Sequence, residues 1–133
     1  MRRRVIDLTA SATLGRNQSG SLVTLNALAG LTVTLPSASR GVYYDFVVKK
    51  TVTSNDYIIT TATADKIRGT LVNAKNNTAS KAFVATSSDT ITMNGTTTGG
   101  LIGMRMRLIC DNDGVWNVSG FNTASGSEAT PFS

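Results

Sequence analysis

Apolar residues along this chain fall in short alternating blocks, separated by Gly, Asn, Asp and Ser. In Leu31-Thr32-Val33-Thr34-Leu35 every second side chain is apolar, the period-two signature of a half-buried strand. Pro36 ends that ladder because it has no backbone donor. Leu22-Val23-Thr24-Leu25-Asn26 has the same character. With Ala27-Leu28-Ala29-Gly30 between them, the two segments predict a hairpin. Upstream, Val5, Ile6 and Leu8 predict a short strand and Ser19-Gly20 a turn. Downstream, Val42 to Lys50, Tyr57 to Thr60 and Lys66 to Val72 read as strands. The inward face of the first is ambiguous, and Gly69 in the last predicts a bulge or a close backbone approach. Asn73 to Ser80 is polar and turn-like.

The second half is more regular. Lys81 to Ala85 and Thr90 to Asn94 are strands separated by Thr86-Ser87-Ser88-Asp89, with Ile91 and Met93 sharing an apolar face. From Ile102 to Cys110 the even positions Ile102, Met104, Met106, Leu108 and Cys110 form one side, and Arg105 with Arg107 the other. Asp113-Gly114 turns this strand into Val115-Trp116-Asn117-Val118-Ser119, the best hairpin in the chain. About nine or ten short strands at this spacing predict an all-β fold, a single compact β-sandwich or β-barrel, jelly-roll-like, with extended termini. The expected organisation is an N-terminal arm with a first strand at 1–20, a β domain at 21–120 and a C-terminal tail at 121–133. The tetrads Val23-Thr24-Leu25-Asn26 and Val33-Thr34-Leu35-Pro36 share strand grammar, but nothing later continues their period.

Composition narrows the function more than the fold. At 133 residues the chain is one domain, able to close a core without disulfides or metals. Aromatics are few, so that core must be mainly Val, Leu, Ile, Met and Ala, which is thin for a monomer and favours association. No apolar run approaches bilayer length, and no signal-like segment follows Arg2-Arg3-Arg4. Synthesis in the cytoplasm and no membrane partner are expected. The net charge of +5 includes the Arg2-Arg3-Arg4 cluster, which suits either a solubilising tail or contact with an acidic surface.

Histidine is absent, which removes the commonest general base near neutral pH and excludes Ser-His-Asp or Cys-His mechanisms within the chain. The single cysteine, Cys110, lies among apolar neighbours and reads as a buried small hydrophobe. Asp111 and Asp113 are close in sequence but bracket a turn, where aspartates accept backbone hydrogen bonds. Gly99-Gly100 and Gly103 match no nucleotide-binding fingerprint, so no cofactor is expected. The Asn-x-Ser/Thr triplets, among them Asn76-Asn77-Thr78, need a secretory route that the sequence does not support. Arg105 and Arg107 share a strand face, and their planar forks suit carboxylates or phosphates. An ordinary solvated face outweighs nucleic-acid recognition here, because no aromatic platform interleaves with them. Protein contact lies between those readings.

Taken together, Val23-Thr24-Leu25-Asn26, Thr32-Val33-Thr34-Leu35-Pro36, Thr51 to Tyr57, Ile91 to Gly100 and Trp116-Asn117-Val118-Ser119-Gly120 resemble small accessory structural proteins of marine tailed bacteriophages. The resemblance implies a capsid decoration or cement protein, a homotrimer on the outer surface of the virion bound to the major capsid protein, with no specific nucleic acid. On that reading Arg2, Arg3 and Arg4 reach acidic capsid surface, Arg105 and Arg107 make intersubunit or capsid salt bridges, and Phe132 is a terminal aromatic anchor. A tail- or fibre-associated module binding host carbohydrate is the alternative, with Tyr43, Tyr44, Tyr57 and Trp116 as stacking platforms.

Overall fold

The computed structural model describes residues 2–62, 64–75 and 79–133. Among them are eleven strands and one short 3-10 turn, Arg16–Gln18. The strands are β1 Val5–Leu8, β2 Ala12–Thr13, β3 Leu22–Leu25, β4 Leu31–Thr34, β5 Tyr43–Val48, β6 Tyr57–Thr60, β7 Lys66–Ala74, β8 Lys81–Ser88, β9 Thr90–Met93, β10 Arg105–Asn112 and β11 Val115–Thr123. Sheet A runs in the order β1-β3-β5-β10-β11-β7-β8, and sheet B in the order β2-β4-β6-β9. Their inner faces meet in one core, which makes the all-β sandwich that the alternation predicts.

The winding differs from expectation. From β1 to β6 the chain alternates between sheets, and each strand lies parallel to the one before it in the same sheet. The expected hairpin of Leu22–Leu25 and Leu31–Leu35 is therefore absent: β3 belongs to sheet A and β4 to sheet B. Both tetrads have the same grammar because both face the same core. Val23 and Leu25 enter it from one side, and Val33 and Leu35 from the other. Five residues, Asn26 to Gly30, carry the crossing, with the Gly30 N–H donating to the Ala27 carbonyl. This parallel coil also differs from the antiparallel Greek keys of a jelly roll.

Antiparallel strands close the coil. β10 pairs with both β5 and β11, and the Asp113-Gly114 hairpin forms as expected. β11 then runs parallel to β7 in register from Val115↔Lys66 to Thr123↔Ala74. Gly69 fulfils both expectations. The β7–β8 ladder shifts register between Ile67 and Gly69, and a Cβ at Gly69, φ +131°, would clash with the Val118 carbonyl oxygen.

Several boundaries move. β7 runs on into the expected turn through Asn73 and Ala74, and β8 covers Thr86 to Ser88. Asn76, Asn77 and Thr78, with their Asn-x-Thr triplet, lie outside the described residues. Ile102 is exposed in a turn, so the alternating strand begins at Arg105. Two strands lie within residues 1–20, and β11 passes position 120. Residues 131–133 add to sheet B: the Thr92 N–H donates to the Pro131 carbonyl, and Thr90 and Ser133 exchange backbone bonds. The sheet grammar thus continues into both segments expected as arm and tail.

Candidate functional site

The outer face of sheet A carries the candidate site. Two cross-strand rows build it. One runs Val47–Arg105–Phe121–Val72–Ala82, the next Asp45–Arg107–Ser119–Thr70–Val84. Arg105 and Arg107 project here because Met104, Met106, Leu108 and Cys110 are all buried on the opposite side. A groove of about 370 Å³ lies among Arg105, Arg107, Ser119 and Phe121, with Asp45 at one end. Its floor is close backbone. A Cβ at Gly120, φ +143°, would clash with the Arg105 carbonyl oxygen.

The two arginines, expected as a pair, do different work. Arg107 forks onto Asp45, with Nε–Oδ1 at 2.7 Å and Nη2–Oδ2 at 2.9 Å. Its guanidinium also lies 4.9 Å from the Tyr43 ring centre. Arg3 reaches the same carboxylate at 2.6 Å and donates to the Gly20 and Ser21 carbonyls. Asp45 is only 3% exposed on what would otherwise be the wet face of β5, because the arginines cover it. The Arg107 hydrogen bonds, joined by those from Arg3, outweigh burial and hold its carboxyl below the usual range. Arg105, by contrast, is exposed and makes no ion pair among the described residues.

The remaining residues expected at a contact are placed as follows. Arg2 is exposed, and Arg4 donates to the Asn17 carbonyl. Pairing of β1 with β3 brings this arm onto the fold, so Arg3 acts as a clamp on Asp45. Phe132 is 9% exposed and packs in the chain's own core, with a bridge to Ile91. As a free terminal anchor it is therefore corrected: closing sheet B buries the ring. Of the expected stacking platforms, Tyr44, Tyr57 and Trp116 are fully buried and Tyr43 is half-buried. Tyr44 donates to the Gly15 carbonyl, and Tyr57 to those of Leu25 and Lys50.

Two residues of the site were missed. Phe121, 64% exposed, fell in the supposed tail, and Ser119 at the end of a strand. The signal was present in Asn117, Ser119 and Phe121 at alternate positions, but Gly120 broke the apolar half of the pattern. Elsewhere, burial pushes the Cys110 thiol up to about 12, which makes it a poor nucleophile. Asp113 accepts from the Arg40 N–H, as expected of a turn aspartate. The site's chemistry is thus one available guanidinium, a hydroxyl and an aromatic wall, arranged for binding. No family model, curated protein or solved structure matches the chain.

Proposed function

We propose that this chain is a structural virion protein that binds the major capsid protein lattice of a tailed bacteriophage from outside and stabilises it without catalysis. The sequence resemblance supplies the partner class. One observation carries the docking role: Phe121 and Val84, the latter 66% exposed, stand with Val72 and Ala82 on the outer face of sheet A beside the available Arg105. Contiguous apolar side chains rimmed by charge are the composition of an interaction surface. The burial of Tyr44, Tyr57 and Trp116 removes three of the four residues on which carbohydrate stacking rested, leaving only the half-buried Tyr43, whose ring lies beside Arg107. A non-catalytic role is supported by the absence of histidine, the suppressed thiol and the Asp45 carboxylate held in ion pairs with Arg3 and Arg107.

As a homotrimer the domain would bridge neighbouring capsomers, and each buried contact would raise particle stability through mass action on the assembled state. Cryo-electron microscopy of purified particles tests this. The expected result is density for the sandwich in threefold clusters over the head lattice, with sheet A turned toward the capsomers. Density confined to the tail, or particles lacking the chain, overturns the proposal.

A further inference from the structure

We propose that the groove beside Arg105 receives an extended acidic segment of the partner protein, with one carboxylate on Arg105 and an adjoining apolar side chain on Phe121. The proposal rests on the docking reading and adds the chemistry of what docks. Its basis is the asymmetry between two arginines on one strand face. Arg107 is satisfied by Asp45 and stacked beside Tyr43. Arg105 has no acidic partner among the described residues, and its direct cross-strand neighbours are Val47 and Phe121. A guanidinium in an apolar row gains most from an occupant that brings a carboxylate and excludes water together.

The geometry sets further terms. Arg105 and Phe121 are directly opposed on neighbouring strands, so one segment laid over the sheet can touch both. Ser119 is exposed at the groove and offers a hydroxyl to the occupant's second carboxylate oxygen or backbone. Asp45 lies at the far end with its charge already neutralised, so it does not repel an incoming acid. Nucleic acid fits less well. A phosphate backbone needs a track of free cations, whereas Lys66 and Arg68 on the same sheet are each within 4 Å of an acid, Asp89 and Asp111. Beyond Phe121 the row continues as Val72 and Ala82.

The test uses the full chain and a fluorescent peptide of alternating Glu and Val, its Gln counterpart and oligo(dT), with binding read by anisotropy. The Glu peptide is expected to bind, and the Gln peptide or Arg105→Ala to weaken binding about tenfold or more, the scale of a lost charge-assisted contact. Phe121→Ser is expected to weaken it as well. Arg105→Lys should recover only part, because the ammonium lacks the planar fork. Both side chains are exposed, so the variants should keep the wild-type urea midpoint. Binding unchanged in Arg105→Ala or Phe121→Ser overturns the inference. So does no binding at millimolar peptide, or Arg105-dependent binding of oligo(dT) in preference to the peptide. Particle occupancy separates the two readings. Peptide binding by a chain absent from particles sinks the capsid role alone, whereas particles that retain Arg105→Ala and Phe121→Ser at full occupancy sink the groove alone.

Discussion

At the residue scale, Asp45 shows how a charge becomes structural. Position 45 faces outward on β5, yet Arg3 and Arg107 enclose its carboxylate from the N-terminal arm and from β10. Asp45→Asn keeps the shape and removes the charge, leaving two half-exposed guanidiniums to share one neutral amide oxygen in place of a carboxylate. A loss of about 2 kcal/mol in urea unfolding at neutral pH is expected, on the scale of hydrogen bonds to charged groups. The sign with pH follows from the lowered pKa. The carboxylate's contribution is complete above the unfolded value of about 3.9 and is lost as pH falls through the lower folded value. The difference between wild type and Asp45→Asn should therefore be flat from neutral pH down to about 5 and shrink below about 4. A difference that shrinks between pH 7 and 5 would show that another group carries it. Part of this face was legible in the sequence, where alternation placed Arg105 and Arg107 together. Their division of labour was not, because it depends on which strand lies beside β10.

At the element scale, strands were legible and their partners were not. Alternation in Leu31 to Leu35, or in Met104 to Cys110, reports which side chains are buried. It says nothing about which sheet buries them, so a short link between two similar strands read as a hairpin when it is a crossing between sheets. Local turn chemistry succeeded where the turn itself sets the pairing, as at Asp113-Gly114. The C-terminal segment failed for a related reason: Pro131-Phe132-Ser133 is too short for a period, and its strand character comes entirely from β9. Phe132→Ala should lower stability by about 3 kcal/mol, the lower end for truncating a buried Phe, since its ring keeps some exposure. Deleting Pro131 to Ser133 should lower it further, because the Asp89, Thr90 and Thr92 N–H groups lose their acceptors as well. Equal urea midpoints for wild type and the deletion would show that the segment is not part of the fold.

For the whole molecule, the order of strands determines where the fold is strongest. β5, β10 and β11 are flanked on both sides in sheet A, whereas β1 and β2 each stand at one edge of their sheets. The first turn of the coil, β1 with β2, therefore has neighbours on one side only. It is held by its parallel ladders and by Arg3 on Asp45. Stability in such a coil is a sum of nearest-neighbour terms, so opening begins at the uncapped turn. Native-state hydrogen exchange should show this gradient. The amides of Phe46, Leu108 and Val118 are expected to exchange only through global unfolding, and those of β1 through a smaller, local opening. Asp45→Asn should widen the gap by releasing Arg3, lowering protection in β1 more than in β11. Uniform protection from β1 to β11 would mean that the sandwich opens as one unit, with the arm as integral as the centre. A graded profile would leave the sheet A face around Arg105 and Phe121 rigid while the first turn opens. A docking surface needs that rigidity if its side chains are to meet a partner without first being ordered.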